Sequence, residues 1–424
     1  MTTESAVRPG TNWAGNIAFT APDFARPATL GELQSVVARA ARVRVLGTGH
    51  SFNDMADSPG TQVSLSALPA SLETDSAASV VRVPAGLTYA QLATGLDARG
   101  LALRNLASLP HISVGGACAT ATHGSGPANQ NLAAAVTALT LVTADGDLLE
   151  LARGDDGFEG AVVHLGALGV VVSLTLDVVP SFTVAQRVYE NLPLQTLDDH
   201  FAALMSAGYS VSLFTDWRAP RLNQVWIKQR LPAPDAPLVT QESWFTATPA
   251  SGPRHPVPGM SPDACTQQLG VPGPWYARLP HFRPDFPPSA GHELQSEYLL
   301  PAARAVPALH ALSQIRDDVA AVLQISELRM VAADPLWLSS CYQQDSVAIH
   351  FTWIPDTAAV LPVVTLVERQ LAAFAPRPHW GKVFTTPAET LRSAYLRLPA
   401  FDGLARRLDP TAKFRNAYTE RYLT

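Results

Sequence analysis

Two stretches decide the fold of this chain: SLPHISVGGACATATHGSG at residues 108–126 and GTGHSFND at residues 47–54. The longer stretch has no Asp, Glu, Lys or Arg and consists largely of glycine, alanine and small hydroxyl residues. Such small side chains let a flat ligand approach the backbone closely. A flexible linker is the alternative, but Ile112, Val114 and His123 are not typical of linkers. The composition therefore favours a buried turn that lines a ligand.

The shorter stretch follows a predicted strand, VRVLG at 43–47. Its glycines at 47 and 49 allow a sharp turn that presents backbone N–H groups to an anion such as a pyrophosphate. The spacing is not GxGxxG and the Walker lysine is missing, so neither a Rossmann site nor a P-loop is predicted. Taken alone, this turn would indicate an ordinary connection between a strand and a loop.

Alternating strands and helices surround both stretches and predict an α+β domain over the first 180 residues. Thr29 with Glu32 predicts one capped helix, and Thr88 with Gln91 predicts a second. The pair Asp145–Gly146 lies between two apolar runs and predicts a β-hairpin.

Composition limits the class of protein. A chain of 424 residues predicts two or three domains, since about 150 residues per domain is usual. The chain is 47% apolar and 16% charged, with a net charge of −6, which does not suit a protein that binds nucleic acid or an anionic membrane. The expected partner is a small molecule. Three widely spaced cysteines predict neither a disulfide framework nor a zinc site, and no metal is expected.

The N-terminus, MTTESAVRPG, lacks the basic start and apolar core of a signal peptide, so a cytoplasmic location is expected. The stretch at 162–179 could pass for a membrane span. It contains His164 and Asp177, and its β-branched residues favour a buried strand instead.

The second half of the chain changes character. Residues 231–291 are irregular and rich in proline, and they predict either a segment packed over something or a partly ordered surface loop. Beyond them, strands of an antiparallel sheet are predicted at 323–333, 346–354 and 380–385, with a helix at 360–374.

Charged residues within these strands suggest a site. Side chains alternate across a strand, so Glu327 and Arg329 share one face, His350 and Thr352 share another, and Lys382 lies on a third predicted strand. Because burying an isolated charge is costly, these groups pair, face solvent or line a wet pocket. A structural ion pair is the alternative to a pocket. A carboxylate accepts from hydroxyls while a guanidinium and an ammonium donate, so a pocket of this kind suits a polyol.

Five motifs, in this order, resemble the vanillyl-alcohol-oxidase family of FAD enzymes, which have a PCMH-type FAD-binding domain. They are GTGHS, the run at 108–126, GALGVVVSLTL, HWGK and LDPTAKFRNAYTERYL, and they extend over nearly the whole chain. Within that family the chain is most similar to the alditol oxidases and less so to the aldonolactone oxidases. The resemblance implies a two-part FAD-binding domain at 12–180 and a substrate-binding cap domain with an antiparallel sheet at 181–375. A C-terminal segment, 376–424, is expected to return to the FAD domain.

The resemblance also implies FAD held covalently through His50 at the flavin 8α-methyl. Nothing around Cys118 matches the pattern of a second, cysteinyl attachment, so a single bond is expected. The implied cofactor-binding residues are Gly47, Thr48, Gly49, His50, Ser51, Ser108, Ser113, Gly116, Thr120, Ala121, Thr122, His123, Val170, Val171 and His379.

The implied reaction is oxidation of the terminal hydroxyl of a polyol such as xylitol or sorbitol to the aldose, with O2 reduced to H2O2. Histidine has the pKa suited to taking the hydroxyl proton, so His350 is expected to act as the base or to assist it. Lys382 as the base, with a lowered pKa, stays open. The expected catalytic residues are Ser108, Glu327, Arg329, His350 and Lys382, and the expected substrate-binding residues are Ser108, Glu327, Arg329, Thr352 and Lys382.

Two other functions are kept as hypotheses. One is an aldonolactone oxidase or dehydrogenase, because HWGK and the C-terminal motif resemble that group too. The other is a flavin- or carbohydrate-binding protein without turnover, against which the full set of charged residues argues.

Overall fold

The structure, a computed structural model, describes residues 9–232, 244–287 and 289–424. Three sheets lie in the N-terminal half. The first has the order β1-β3-β2 and is parallel, the second has the order β4-β5-β9-β7-β8 and is antiparallel, and the third pairs β6 with β10. These strands are β1 (Asp23–Ala25), β2 (Val43–Val45), β3 (Thr61–Val63), β4 (Glu73–Asp75), β5 (Val80–Pro84), β6 (Leu101–Ala102), β7 (Val136–Val142), β8 (Leu148–Ala152), β9 (Val170–Asp177) and β10 (Val179–Pro180).

Short helices connect these strands, as the predicted α+β class requires. They are α1 (Leu30–Arg39), α2 (Tyr89–Asp97), α3 (Val114–Ala119) and α4 (Phe158–Val162), with 3-10 turns at Asp54–Ala56 and Leu132–Ala135.

The predicted caps are present, with one difference. Thr88 and Gln91 form a complete capping box at the start of α2. At α1, the Thr29 side chain accepts from the Glu32 N–H as predicted, but the Glu32 carboxylate accepts from the N–H of Ala28 instead of Thr29. The carboxylate therefore accepts from the residue before Thr29, one residue closer to the N-terminus than a capping box requires.

The hairpin and the apolar stretch at 162–179 agree with the sequence. Strands β7 and β8 pair from Val142 and Leu148 outwards, and Gly146 in the turn has φ +89°. The apolar stretch includes β9, which lies between β5 and β7 in the sheet. It forms a buried strand, as expected.

A larger antiparallel sheet occupies the second half of the chain. Its order is β14-β11-β13-β12-β17-β18-β16-β19, and β15 also pairs with β11. Its strands are β11 (Thr183–Pro193), β12 (Ser210–Thr215), β13 (Arg221–Arg230), β14 (Thr248–Pro249), β15 (Gly273–Pro274), β16 (Leu294–Pro301), β17 (Leu323–Val331), β18 (Ser346–Trp353) and β19 (Arg377–Pro378).

The helices of this half are α5 (Thr196–Met205), α6 (Ala305–Ser313), α7 (Arg316–Val322), α8 (Thr357–Leu371), α9 (Ala388–Ala394), α10 (Leu398–Leu408) and α11 (Ala417–Leu423). Short 3-10 turns lie at Pro262–Ala264, Trp275–Ala277, Ala302–Arg304 and Ala372–Phe374.

One face of the large sheet packs on helices. Leu328 of β17 and Ile349 of β18 lie in the same apolar cluster as Leu309 of α6 and Val364 of α8. The alternation of side chains then puts Glu327 and Arg329 on the opposite face. The segment Thr357–Phe374 is long and apolar enough to cross a membrane by length and composition, which is weak evidence because core helices pass the same test.

The predicted strand at 380–385 is wrong. These residues form a turn and an irregular segment after β19. The Lys382 N–H donates to the His379 carbonyl, and the Asn53 side chain donates to the carbonyls of Trp380 and Lys382. The Val383 N–H donates to the Gln295 carbonyl of β16, so the segment keeps one backbone bond to the sheet, but the Asn53 side chain takes the place of a strand partner at two of its carbonyls.

The proline-rich segment is packed where the structure describes it; residues 233–243 and 288 lie outside the described part. Trp275 and Phe282 are buried, while Arg283 is exposed. The His281 and Phe282 N–H groups both point to the Ser108 carbonyl, at 3.1 and 3.3 Å. The segment therefore contacts the small-residue run directly.

The C-terminal segment packs against the N-terminal half. Phe401, Phe414 and Tyr418 share an apolar cluster with Val43. The buried Lys413 ammonium donates to the carbonyls of three residues, those of Val37 (2.8 Å), Ala38 (3.1 Å) and Ala144 (2.6 Å).

Candidate active site

A cavity lies where the loop at 47–54, the run at 108–123 and the polar face of the large sheet meet. The residues that line its two ends differ in size and charge. Glycine, alanine and small hydroxyl residues of the first two segments supply one part, and charged residues of the sheet supply the other. The cavity can therefore hold a flat group against backbone and a polar molecule against side chains.

Close packing in the small-residue part requires glycine. A Cβ at Gly47 would lie 2.5 Å from Ser113 Oγ, and one at Gly116 would lie 2.9 Å from the same atom. A Cβ at Gly115 would lie 2.9 Å from that of Ala85. Side chains at these positions would clash with Ser113 or Ala85, so glycine lets the segments that form this part of the cavity pack directly on one another.

His50 stands at the edge of this part. Its ring stacks on Trp13 with centroids 5.2 Å apart, and Nδ1 lies 3.1 Å from Thr48 Oγ1. Nε2 is buried without a hydrogen-bond partner among the described residues. Burial, with a smaller contribution from His111, lowers the pKa of His50 to about 4, so the imidazole is neutral.

Most of the predicted cofactor residues line this cavity, and two do not. Ala121 and Val170 are buried in the apolar core of the N-terminal half instead. Ala121 has φ +53°, and Val170 pairs with Val142 inside the sheet. The lining residues are Gly47, Thr48, Gly49, His50, Ser51, Ser108, Ser113, Gly116, Thr120, Thr122, His123, Val171 and His379.

Strand register brings the charged residues together. Glu327 of β17 lies opposite His350 of β18, and His350 lies opposite Glu297 of β16. The three side chains therefore form one row across adjacent strands. Two residues further along, Ile325, Thr352 and Gln295 form the next row. Ser108 and Lys382 reach the same cavity from loops.

The Glu297 carboxylate is the centre of this cluster and was not predicted from the sequence. Arg329 Nη2 donates to Oε1 and Lys382 Nζ donates to Oε2, each at 2.7 Å. His123 Nε2 and His350 Nδ1 lie 3.4 and 3.9 Å from Oε1. Glu297 therefore contacts groups from two strands and two loops.

These contacts set the charge of Glu297. Burial alone would raise its pKa, but Lys382, His123 and Arg329 outweigh burial and hold the pKa well below its usual range. Glu297 is thus ionised, and so is Glu327, whose pKa is lowered mainly by Arg329 and His281 against the effect of burial.

Lys382 and His350 form a coupled pair. Lys382 Nζ lies 2.7 Å from His350 Nδ1, and His350 Nε2 lies 3.0 Å from Thr352 Oγ1. Burial lowers the pKa of His350 well below its usual range, and Lys382 lowers it further. Burial also lowers the pKa of Lys382, although Glu297 opposes that shift. A neutral imidazole beside an ammonium must accept at Nδ1 and carry its single proton on Nε2.

Among the polar residues of the cavity lining that sequence reasoning missed are Gln295, Glu297 and His281, which lie beside the charged cluster. The first two stand two apart on β16, which is the same signal that identified Glu327 and Arg329. His281 lies in the proline-rich segment and has no periodic signal.

No group of three or more His, Cys, Asp or Glu residues able to hold a metal occurs within the described ranges. The three cysteines, all within the described part, are buried and free.

The small-residue part fits FAD. Its glycine, alanine and small hydroxyl lining lets an isoalloxazine ring and a pyrophosphate approach the backbone closely, and the unpartnered His50 Nε2 is a buried polar atom that a bound group would satisfy. The charged part lies beyond it and suits a hydroxylated substrate.

Comparison with known proteins agrees with this fit. A family model described as an FAD binding domain matches residues 22–152, and a model described as D-arabinono-1,4-lactone oxidase matches residues 292–422. Cholesterol oxidase from B. sterolicum has the same fold, with a TM-score of 0.79 at 14% identity over 98% of this chain and 96% of that one. Fold and site together define a flavoprotein of the vanillyl-alcohol-oxidase type.

Similarity in sequence then narrows the class. An alditol oxidase from Streptomyces sp. (strain IKD472 / FERM P-14339) is 56% identical over 413 residues, which is 96% of this chain and 97% of the relative. An L-gulono-1,4-lactone dehydrogenase from Mycobacterium tuberculosis (strain ATCC 25618 / H37Rv) is 30% identical over 97% of this chain and 98% of the relative. The chain belongs to the alditol oxidase family of FAD-dependent oxidoreductases.

The contacts of Glu297 predict its contribution to stability. Glu297→Gln should leave Lys382 and Arg329 buried without their shared counter-ion and reduce the free energy of unfolding by about 3 kcal/mol or more. Denaturant titration of the holoenzyme measures this loss. Glu190→Gln is the matched control, since the half-exposed Glu190–Arg254 pair should contribute no more than about 1 kcal/mol. Equal effects of the two substitutions would contradict the central role of Glu297.

Proposed function

We propose that this chain is an FAD-dependent alditol oxidase, which oxidises the terminal hydroxyl of a polyol such as xylitol or sorbitol to the aldose. The observation that carries the proposal is a set of hydrogen-bond acceptors and donors on the polar face of the sheet. The set comprises Glu327, Arg329, His350 and Thr352, with Lys382 beside them. A chain of adjacent hydroxyls can both donate to a carboxylate and accept from a guanidinium or an ammonium. The 56% identical relative, named an alditol oxidase, supports this assignment.

The cofactor supplies the redox chemistry. When bound, FAD would supply the acceptor for the carbinol hydride and the route by which both electrons reach O2 to give H2O2. The residues proposed to hold it are the loop at 47–51 and the run at 108–123, with Val171 and His379. His50 is proposed as the covalent anchor, which its neutral state and unpartnered Nε2 support. Residues 12–180 and 376–424 would make up the FAD domain, and 181–375 the cap domain, of a cytoplasmic enzyme.

His350 and Lys382 are proposed to act as one base. In the active form Lys382 is neutral, so the His350 Nδ1–H donates to Nζ and the lone pair on Nε2 faces the substrate. The hydroxyl proton passes to Nε2 and the Nδ1 proton passes to Nζ. The product of this transfer is the neutral histidine beside an ammonium described above. The lowered pKa of Lys382 supports access to the deprotonated form.

Arg329 and Ser108 are proposed to hold the reacting hydroxyl. Arg329 Nη1 donates to Ser108 Oγ at 3.1 Å, and Arg329 Nε is a buried donor without a hydrogen-bond partner among the described residues. Glu327 and Glu297 keep Arg329 charged, because together they raise its pKa despite burial. A fixed cation of this kind stabilises a developing alkoxide.

An aldonolactone oxidase or dehydrogenase is the second candidate function. The lactone oxidase model that matches residues 292–422 covers most of the charged cluster, so the same groups could bind a lactone. A non-catalytic binding protein is less well supported, because binding alone does not require the coupled His350–Lys382 pair.

A substrate panel tests the proposed function. Linear polyols of four to six carbons should reduce the enzyme-bound flavin under anaerobic conditions and consume O2 with release of H2O2 in air. Aldono-1,4-lactones should give at most about a tenth of that rate, since a loss of about 1.4 kcal/mol in transition-state binding is tenfold. A preference for lactones would favour the second candidate, and flavin reduction without O2 consumption would indicate a dehydrogenase.

The anchor proposal predicts how flavin is retained. After acid precipitation, wild-type protein should keep its yellow colour in the washed pellet, because the flavin is bonded to the chain. His50→Ala should release its flavin to the supernatant. His111→Ala is a matched control, since its Nε2 lies 2.9 Å from the Phe286 carbonyl and His111 does not line the cavity. Flavin retained in the His50→Ala pellet would show that another residue is the anchor.

The base proposal predicts a pH effect. Flavin reduction needs the deprotonated pair, so its rate should rise with pH through the lowered pKa of Lys382. Lys382→Met should slow reduction and move this acid limb to lower pH, because His350 alone titrates well below Lys382. Anaerobic stopped-flow reduction across pH measures both. A limb that moves to higher pH would mean that Lys382 acts only by charge.

His350→Ala should abolish reduction with flavin still bound, and normal reduction there would exclude His350 as the base.

A further inference from the structure

Behind Glu327 lies a hydrogen-bonded row of buried ionisable groups, of which the proposed reaction does not use Lys228 and His281. Lys228 of β13, His281 of the proline-rich segment and Glu327 of β17 are 1%, 4% and 5% exposed. Lys228 Nζ lies 3.1 Å from His281 Nδ1, and His281 Nε2 lies 2.7 Å from Glu327 Oε1. The row therefore runs from the interior of the sheet to the wall of the cavity.

The direction of these hydrogen bonds follows from the chemistry of the groups. An ionised carboxylate can only accept, so His281 must donate from Nε2 to Glu327. A neutral imidazole that donates at Nε2 accepts at Nδ1, and Lys228 is the donor there. The Lys228 ammonium has three N–H groups and meets three acceptors: His281 Nδ1 and the carbonyls of Leu279 and Pro280. The three donors of Lys228, both ring nitrogens of His281 and Oε1 of Glu327 are thereby matched.

The surroundings hold the His281 ring in place. Trp226 and Phe214 meet it edge-on, with ring centroids 5.2 and 5.7 Å away. Ser212 Oγ lies 3.4 Å from Nε2, and the His281 N–H reaches the Ser108 carbonyl at 3.1 Å. One residue thus contacts both Glu327 and Ser108, two residues that line the cavity.

We propose that His281 and Lys228 are positioning residues that fix Glu327 for substrate binding. His281 occupies Oε1 and sets the rotamer of the carboxylate, so Oε2 is left to accept from a hydroxyl of the substrate. Arg329 Nε lies 3.6 Å from Oε2 and supplies the matching donor. Lys228 sets the tautomer of His281 and keeps its proton on Nε2. This proposal rests on the proposed function, since it requires a hydroxylated substrate at Glu327.

The proposal is testable because loss of the orientation of Glu327 should affect substrate binding and the chemical step differently. Glu327 binds the substrate and takes no part in proton transfer, so loss of its orientation should raise the dissociation constant and leave the limiting rate of flavin reduction nearly unchanged. A purely structural role would instead lower flavin content or thermal stability without this split.

The experiment is anaerobic stopped-flow reduction of the holoenzyme, with whichever polyol or lactone reduces the wild-type flavin. His281→Leu removes both hydrogen bonds and should raise the substrate dissociation constant at least about tenfold, with the limiting rate within about threefold. His281→Gln keeps an amide N–H donor and a carbonyl acceptor and should restore binding to within about threefold. His310→Leu, which removes an exposed histidine paired with Asp198, should change neither constant.

Two further variants keep the proposal falsifiable. Lys228→Met leaves the His281 ring in place and should weaken binding in the same direction, which decides the matter if His281→Leu does not fold. In a Glu327→Ala background, His281→Leu should have no further effect on the dissociation constant, since the carboxylate that His281 orients is already absent. An equal effect in both backgrounds, or a fall in the limiting rate with unchanged binding, would overturn the proposal. Failure of every polyol and lactone to reduce the wild type would instead refute the proposed function.

Discussion

The ionised carboxylate of Glu297, buried on the penultimate strand of the large sheet, is the constraint on which the rest of the site depends. A buried charge of this kind is stable only when donors and counter-ions surround it. Arg329 comes from the neighbouring region of the sheet, Lys382 from the turn that begins the C-terminal segment, and His123 from the small-residue run. One carboxylate therefore holds together three parts of the chain that are distant in sequence, and the cavity forms where they meet.

Local sequence signals predicted the elements that depend only on residues close together in the chain. The capping residues Thr88 and Gln91 act within one turn of the chain and begin α2 as predicted, and alternation located Glu327 and Arg329 because β17 is regular. The α+β class and the FAD-binding fold were confirmed on this basis together with the family resemblance.

Long-range hydrogen bonds explain what could not be predicted. The segment at 380–385 has the composition of a strand, but Asn53, more than three hundred residues earlier, satisfies its backbone. Glu297 was overlooked because no strand was predicted at 294–301, although Gln295 and Glu297 alternate there as Glu327 and Arg329 do, and only the register with β18 places Glu297 opposite His350. Ala121 and Val170 belong to the right segments, yet side-chain direction within those segments turns them to the core.

The residues of the charged part of the cavity are held in place in two different ways. Glu327, Arg329, His350 and Thr352 stand on paired strands, where backbone hydrogen bonds fix them to within small limits. Ser108 and Lys382 stand on loops, and each is bound to a strand residue through a charged group, Ser108 to Arg329 and Lys382 to Glu297. Bonds of that kind are stronger than neutral ones, so they give loop residues the fixed geometry that proton and hydride transfer demand. The first role of the charged groups in this site is therefore to hold its residues in place, and their proposed role in the reaction depends on that.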